Sequence, residues 1–283
     1  MARIKIITDS TADIPKQVAE DLDITVVPLT VHFGDESYKD WYDLTSAQFF
    51  EKLKKSSVMP TTSQITPMEF EKVFRREIQN YDSIICVTLS SRASGTYQSA
   101  VIAKNNLEGA DIEVIDSMLL SYAYGMIVVE AAKMANEGVA KDEIVKWIKD
   151  TLPRVDTYFI VDTLEYLKKG GRINLATAVI GNILNIKPIL SIKDGLVVPV
   201  DKVRGSKKVI PKIIEIIKEK GYSVTNEIVN VAHGAVPERM EELKKAIQEE
   251  FNPKGFFVAE VGCVIGAHSG PGVMGAFFIR NNK

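Results

Sequence analysis

Short apolar runs alternate with amphipathic, helix-like segments through the first half of this 283-residue chain. Because parallel strands need a crossover connection, usually a helix, this alternation is typical of a parallel β-sheet covered by helices. The strands predicted in this half are residues 3–8, 24–31, 83–89, 111–115 and 157–161. The predicted helices are residues 15–22, 45–55, 67–80, 96–107, 119–137 and 140–151. The pattern therefore limits the first half to an α/β/α domain with a parallel sheet.

Two of the predicted helices begin with the spacing of a capping box. Thr45 stands three residues before Gln48, and Thr66 stands three residues before Glu69. In this arrangement the two side chains satisfy backbone N–H groups that the first turn of a helix leaves free. Pro67 follows at the first helical position, where its missing N–H costs nothing. These residues predict where both helices begin.

The pattern changes after about residue 163. Strands at 187–192 and 196–203 flank the turn Lys193-Asp194-Gly195, which predicts an antiparallel hairpin. Beyond it, the predicted helices are 206–220 and 237–251 and the predicted strands are 227–232, 256–261 and 273–280. We therefore predict two domains. The N-terminal domain covers residues 1–160, and residues 161–283 form a C-terminal α/β domain with a mixed or antiparallel sheet.

Charge and composition exclude several classes of protein. The 35 Lys and Arg residues nearly balance the 37 Asp and Glu residues, so the net charge of −2 provides no overall positive field for nucleic acid. The N-terminus turns polar too soon for a signal peptide, and no later stretch approaches about eighteen unbroken apolar residues. The chain has two cysteines, Cys86 and Cys263, fewer than a secreted protein would be expected to use. We expect a cytoplasmic protein with reduced thiols and no integral membrane segment.

No metal or nucleotide motif has the context that it needs. The spacings H-x-x-x-H and C-x-x-C and a Walker A loop are absent from the sequence. GPGVMG at 270–275 has the spelling of a dinucleotide fingerprint, but the eight residues after it are too few for the required helix and acidic residue. We therefore expect no cofactor. The segment is either a plain tight turn or a glycine-rich turn that lets His268 and Ser269 face a ligand.

The segment 90–96 follows an apolar strand and opens a helix. In an open α/β sheet this position is the carboxyl edge, where ligands bind. Ser94, near the helix start, leaves first-turn N–H groups free, Gly95 allows close approach, and the helix dipole favours an anion. A well-capped helix without a ligand has the same pattern. The hydroxyl groups gathered around a glycine favour an anion site.

Several other polar or basic segments have an ordinary explanation as turns or solvated charge. Thr61-Thr62-Ser63-Gln64 precedes the Thr66 capping box and could add a donor, and Asp9-Ser10-Thr11-Ala12-Asp13 follows the first strand. Lys168, Lys169 and Arg172 surround two glycines, and Arg204, Lys207 and Lys208 surround Gly205. Arg204 is the basic residue that we single out, because it lies between a strand and a helix start beside a glycine.

Nucleophilic catalysis remains an alternative. The chain has three histidines and no G-x-S-x-G sequence. Ser94 with His268 as its base and Asp116 as the orienting acid would form an acyl or phosphoryl hydrolase. Many other combinations of three residues fit this chain equally well, so the alternative stays a minority hypothesis.

Seven short motifs together resemble one bacterial family. They are TDSTADIP at 8–15, TTSQ at 61–64, LSSRASGTYQSA at 89–100, IDS at 115–117, KKGGRI at 168–173, VRGSKK at 203–208 and AHSGPG at 267–272. Each motif alone is weak, but together they span essentially the whole chain. In order and spacing they resemble the DegV family of fatty-acid-binding proteins.

This resemblance implies a two-domain α/β protein that encloses one long-chain fatty acid, such as palmitate, between its domains. The tail would be buried in an apolar tunnel, with the carboxylate bonded by Thr62 and Ser94 beside Gly95. His268 and Arg204 match family positions that are associated with the phosphorylated head group and with a kinase partner. No turnover by the protein itself is implied, because a separate ATP-dependent fatty acid kinase makes acyl phosphate for phospholipid synthesis.

Overall fold

The computed structural model describes residues 2–173, 186–222 and 224–280. Its strands are β1 (Ile4–Asp9), β2 (Thr25–Val27), β3 (Thr30–Phe33), β4 (Glu36–Lys39), β5 (Thr61–Ser63), β6 (Ser83–Thr88), β7 (Ile112–Asp116), β8 (Val155–Ile160), β9 (Ile186–Lys193), β10 (Leu196–Arg204), β11 (Ile228–His233), β12 (Gly255–Glu260) and β13 (Met274–Ile279). Its helices are α1 (Lys16–Asp21), α2 (Ser46–Lys55), α3 (Pro67–Glu77), α4 (Thr96–Asn105), α5 (Tyr122–Asn136), α6 (Lys141–Thr151), α7 (Glu165–Lys169), α8 (Val209–Lys220), α9 (Pro237–Phe251) and α10 (Cys263–Ser269). Within the three described ranges, no helix is long and apolar enough to cross a bilayer.

The first sheet is parallel, as the alternation of apolar runs and helices predicts. Its strand order is β2-β1-β6-β7, and every neighbouring pair is parallel. All residues of β1 and β6 are buried, because helices cover both faces of the sheet. Both predicted capping boxes are present, at the starts of α2 and α3. The carboxyl ends of β1, β6 and β7 therefore meet at one edge, where the chain turns toward the following helices.

The second sheet is mixed. Its strand order is β10-β9-β8-β13-β11-β12, in which only the β11–β12 pair is parallel. The predicted hairpin is β9–β10, with Asp194 and Gly195 in its turn at positive φ. α8 and α9 pack against this sheet through a separate apolar cluster. The predicted fold class, a parallel-sheet α/β/α half followed by an α/β half with a mixed sheet, is confirmed.

The two sheets share one apolar cluster, which includes Val87 of the first sheet and Phe277 of the second. Between them the ring of Tyr122, at the start of α5, stacks on Phe257, with ring centroids 4.8 Å apart. Because β8 pairs with β13, residues 155–160 belong to the second sheet. The division into two domains stays a prediction, and this pairing favours a boundary before Val155 rather than at residue 160.

The predicted strand 24–31 is wrong as a single element. β2 joins the parallel sheet, whereas β3 forms a separate antiparallel sheet of order β4-β3-β5. Pro28 lies between the two strands and has no N–H to continue the ladder, so the chain leaves the first sheet there. The Gly-Asp pair within the polar segment 32–43 predicts a short hairpin, which the structure forms as β3–β4 with Gly34 at positive φ in its turn.

The prediction missed three short elements. These are β5 (Thr61–Ser63), α7 (Glu165–Lys169) and α10 (Cys263–Ser269). Elements of three to seven residues show too little periodicity to be recognised, and contacts elsewhere in the fold decide their conformation. β5 carries Thr62 and α10 carries His268, so two of the three missed elements hold predicted site residues.

Candidate functional site

A cavity of about 200 Å³ lies between the parallel sheet and the mixed sheet. Its wall is mainly apolar and comes from both halves of the chain. The apolar side chains include Leu29, Leu89, Leu120, Phe159, Ile192, Val197, Val264, Ile265 and Phe277. Leu29, Leu89 and Leu120 follow β2, β6 and β7, so the cavity lies at the carboxyl edge of the parallel sheet.

The structure brings four of the five predicted site residues together at this cavity. Thr62, Ser94, Gly95 and His268 all line it. Arg204 is exposed at the end of β10 and is not among the lining residues. A strand end beside a glycine also occurs on the outer surface of a sheet, so that local argument did not locate the basic residue of the cavity.

Thr62 and His268 are joined directly, although one lies on β5 and the other on α10. Thr62 Oγ1 and His268 Nε2 are 2.9 Å apart. His268 Nδ1 is buried and has no hydrogen-bond partner among the described residues. Burial, followed by the charge of Arg172, lowers the pKa of His268 to about 4. The imidazole is therefore neutral at neutral pH.

Ser94 lies in the turn before α4. Its Oγ is 2.9 Å from Thr96 Oγ1 and accepts a hydrogen bond from Thr96 N–H at 3.3 Å. The N-cap of the helix is Gly95. A Cβ on Gly95 would lie 2.2 Å from Gln64 Oε1, and Gln64 Nε2 donates to Ser99 Oγ of α4. The glycine thus allows the segment after β5 to rest on the start of α4, which brings Thr62 and Ser94 to the same side of the cavity.

Arg172 is the charged cavity residue that the sequence-based prediction missed. Its guanidinium donates to Ala93 O at 3.1 and 2.9 Å and to Gly170 O at 2.6 Å. It therefore joins the turn after α7 to the loop that carries Ser94. Gly171, at positive φ, reverses the chain so that Arg172 can return toward the cavity. A tight glycine turn directly before an arginine was the signal available in the sequence, and it was interpreted as solvated charge.

The hydrolase alternative lacks the acid that would orient His268. Asp116 Oδ1 accepts hydrogen bonds from the backbone N–H groups of Ser91 and Met118, at 3.1 and 3.0 Å. Among the described residues no carboxylate bonds to either ring nitrogen of His268, whose Nε2 contacts Thr62 instead. The assignment of Asp116 as the orienting acid is therefore wrong, because its carboxylate holds a local turn.

The glycine-rich turn near the C-terminus is a packing feature. Gly270 and Gly272 both have positive φ. A Cβ on Gly270 would lie 2.3 Å from the ring of Tyr166, and one on Gly272 would lie 2.5 Å from the carboxyl group of Asp162. These contacts favour the interpretation as a tight turn. The neighbours His268 and Ser269 do line the cavity, since they belong to α10.

Three carboxyl groups, Asp9, Asp13 and Asp40, are buried below the cavity edge, and burial raises the pKa of each. A raised folded-state pKa makes the fold most stable while the group is protonated, below the unfolded value of about 3.9. This contribution is lost as the pH rises through the folded value.

We therefore expect the free energy of unfolding of Asp13→Asn to improve relative to the natural protein as the pH rises from about 4.5 to 7.5. Asn keeps an acceptor oxygen at this position and cannot ionise. Urea unfolding of both proteins across this range measures the difference. A difference in unfolding free energy that stays constant with pH would contradict the raised pKa of Asp13.

The fold and site define an α/β protein in which two sheets enclose a mainly apolar cavity with one polar side. The model of the DegV family matches residues 3–281 of this chain. A DegV domain-containing protein of Caldanaerobacter subterraneus is 42% identical over 278 residues, which cover 98% of this chain and 99% of that protein. The chain belongs to the DegV family, and the resemblance drawn from the seven motifs is confirmed.

Two solved structures are similar over almost the whole chain. A DegV family protein of Thermus thermophilus, described by its fatty acid binding, has a TM-score of 0.91 and 31% identity and covers 98% of this chain and 100% of its own. DegV of Bacillus subtilis, described as a fatty acid binding protein, has a TM-score of 0.90 and 32% identity and covers 99% of this chain and 100% of its own.

Proposed function

We propose that this protein binds one long-chain fatty acid, such as palmitate, without transforming it. The observation that carries the proposal is the cavity itself. It is lined by apolar side chains of both sheets, and its polar groups Thr62, Ser94 and Arg172 meet on one side. The fatty acid binding described for the structural relatives from T. thermophilus and B. subtilis supports it.

The tail is expected to supply most of the affinity. Burying a chain of about sixteen carbons at roughly 0.8 kcal/mol per CH₂ contributes on the order of 12 kcal/mol before the costs of association. The carboxylate loses hydration on binding and so needs donors in the site. The apolar wall therefore determines strength, and the polar side determines orientation.

His268 makes Thr62 a donor in the proposed site. A neutral imidazole carries one N–H and one lone pair. A Cβ on Gly170 would lie 2.2 Å from His268 Nδ1, so the Cα–H of Gly170 faces that nitrogen, which suits a lone pair rather than an N–H. We assign the proton to Nε2, which then donates to Thr62 Oγ1. The hydroxyl proton of Thr62 is left free for a ligand oxygen.

Ser94 and Arg172 complete the carboxylate site. Ser94 Oγ accepts from Thr96 N–H and lies 2.9 Å from Thr96 Oγ1, where either hydroxyl can donate. With Thr96 as the donor, the proton of Ser94 is available to the ligand. The guanidinium of Arg172 is held by two carbonyls and supplies a positive charge on the same side of the cavity. Hydrogen bonds between charged partners are stronger than neutral ones. The arrangement therefore favours an ionised head group.

Extraction of the purified protein with organic solvent and mass spectrometry tests the function. We expect about one fatty acid per chain from the expression host, and saturable binding of palmitate after delipidation. Protein that carries no lipid and binds no palmitate would refute the proposal. Steady release of product from an acyl phosphate or ester, abolished by Ser94→Ala, would instead favour a hydrolase.

Ser94→Ala should weaken palmitate binding by roughly 1–3 kcal/mol, because one donor to a buried carboxylate is lost. Isothermal titration of the delipidated protein measures the change. Ser91→Ala is the matched control, since the side chain of Ser91 is exposed on the same loop and lies outside the cavity. Unchanged palmitate affinity in folded Ser94→Ala would place the head group elsewhere.

We also propose that the bound acid is presented to a separate ATP-dependent fatty acid kinase. Arg204 is exposed at the end of β10, followed by the exposed Lys207 and Lys208, so it is available to a protein partner rather than to the cavity. Palmitate and ATP incubated with this protein alone should give no acyl phosphate, and addition of the kinase should produce it. Formation of acyl phosphate without the kinase would contradict the proposal that a separate enzyme phosphorylates the bound acid. The cytoplasmic location stays a prediction.

A further inference from the structure

α10 carries His268 and is held at its start by two carboxylates from the first half of the chain. Gly262 N–H donates to Asp13 Oδ1 at 2.9 Å, and Cys263 N–H donates to Asp40 Oδ1 at 2.8 Å. Both carboxylates are buried, with 4% and 1% of their surface exposed. The first N–H groups of a helix have no partner within the helix. Here two side chains that are distant in sequence supply those partners.

Gly262 is the position that lets both carboxylates approach. A Cβ there would lie 2.9 Å from Asp13 Oδ1 and 3.2 Å from Asp40 Oδ1. Its φ of −72° is open to any residue, so contact rather than backbone conformation requires the glycine. An added methyl group would push the start of α10 away from its two acceptors.

The same acidic segment reaches the other polar loops of the site. Asp13 Oδ2 accepts a hydrogen bond from Ser121 Oγ, and Ser121 lines the cavity at positive φ. Asp9 Oδ2 accepts from Leu89 N–H at 2.8 Å, at the start of the loop that leads to Ser94. The segment 9–13 thus connects the ends of β1, β6 and β7 to α10. Ordinary turn chemistry within the segment does not account for these long-range bonds.

α10 depends on such external contacts for its position. It has seven residues, and helices this short are not stable alone. A Cβ on Gly266 would lie 2.6 Å from the ring of Phe49, so the middle of the helix rests on α2. Its start rests on Asp13 and Asp40. Because a helix is stiff, a shift at Cys263 is transmitted to His268.

We propose that Asp13 and Asp40 are positioning residues for the head-group site: they hold α10 so that His268 orients the Thr62 hydroxyl toward a ligand carboxylate. The inference rests on the proposed fatty acid binding. Its consequence is selective. Displacing His268 should weaken the hold on the carboxylate and leave the apolar wall for the tail unchanged. A loss of general stability or a collapse of the cavity would weaken every long-chain ligand alike.

The test compares palmitate with hexadecanol, which has the same tail and no carboxylate. Asp13→Ala and Gly262→Ala should each lower the ratio of palmitate to hexadecanol affinity by about tenfold, or roughly 1.4 kcal/mol. The affinity of each variant for hexadecanol should stay within about threefold of the natural protein's affinity. This change is smaller than the change expected from the loss of one typical hydrogen bond. Asp13→Asn should restore the ratio, since its amide oxygen accepts from Gly262 N–H and its NH₂ group donates to Ser121 Oγ. Asp35→Asn, in the exposed β3–β4 turn, is the acidic control.

The positioning role would be overturned if the ratio of palmitate to hexadecanol affinity stayed unchanged in folded Asp13→Ala and Gly262→Ala. It would also be overturned if these variants lost the same fraction of their affinity for both ligands. Gly262→Ala keeps both carboxylates, so it decides the question should Asp13→Ala fail to fold. Failure of the natural protein to bind palmitate would instead refute the proposed function. NMR of the His268 ring supplies an independent readout, because the displaced imidazole should change its tautomer populations while Asp13→Asn keeps them.

Discussion

Replacing Arg172 with Met is expected to weaken palmitate binding by about 2–5 kcal/mol, at least about 30-fold in Kd. The guanidinium lies on the polar side of the cavity, where its hydrogen bonds go to the carbonyls of Ala93 and Gly170. In the part of the chain that the structure describes, no carboxylate pairs with it. Its charge is therefore available to a ligand anion. Arg172 is the one Lys or Arg among the described residues that line the cavity, so a carboxylate bound there would lose that counter-charge in the variant.

Two variants separate the charge of Arg172 from its other effects. Arg172→Lys keeps the charge but not the planar fork that bonds Ala93 O, so it should recover only part of the affinity. Arg204→Met should leave the Kd unchanged, because Arg204 is exposed at the end of β10. Titration of delipidated protein with palmitate measures all three. Similar losses from Arg172→Met and Arg204→Met would show that the head group binds outside the assigned site.

Replacing Val197 with Trp is expected to reduce palmitate affinity by about 1,000-fold while the unliganded protein stays folded. Val197 lies on β10, is 3% exposed and lines the cavity. The larger ring would occupy space for about five CH₂ groups of the tail, which is about 4 kcal/mol of lost burial. Overpacking normally destabilises a filled core. Here the ring enters vacant space. The delipidated variant should therefore unfold at the same denaturant concentration as the delipidated natural protein.

The matched control lies on the same strand. Val200 of β10 is 47% exposed, so Val200→Trp adds the same ring outside the cavity. It should leave palmitate binding and stability unchanged. Strong destabilisation of Val197→Trp without ligand would show that protein atoms already fill the space. Unaltered palmitate binding in this variant would show that the tail lies elsewhere.

Most elements were predictable because their signals are local. The capping boxes at Thr45 and Thr66 and the turn at Asp194-Gly195 act within a few residues and appear where predicted. The long helices and the buried strands of the parallel sheet show clear periodicity or apolar runs. The strand 24–31 failed because its two halves, on either side of Pro28, join different sheets, and pairing partners are a property of the whole fold.

The site was only partly predictable for the same reason. Ser94 was predicted from its place between a strand and a helix, whereas Thr62 and His268 were assigned through the family resemblance, and all three line the cavity. Arg172 and Arg204 had equivalent sequence contexts, each a basic residue beside glycine. Which of the two arginines faces the interior depends on how the turn after α7 packs against the loop at Ala93. This contact joins segments that are distant in the chain, so it could not be predicted from the local sequence of either one.

The sequence by itself determined most of the strands and helices, the capping of α2 and α3 and the polar motifs that follow the strands, because hydrogen bonding within a few residues and periodic burial control these features. Only the tertiary structure decided that Thr62 meets His268, 206 residues away, and that Asp13 and Asp40 hold the start of α10. It also decided that a cavity exists at all. A cavity is volume that packing leaves vacant, and the apolar residues around it are the same types that fill an ordinary core.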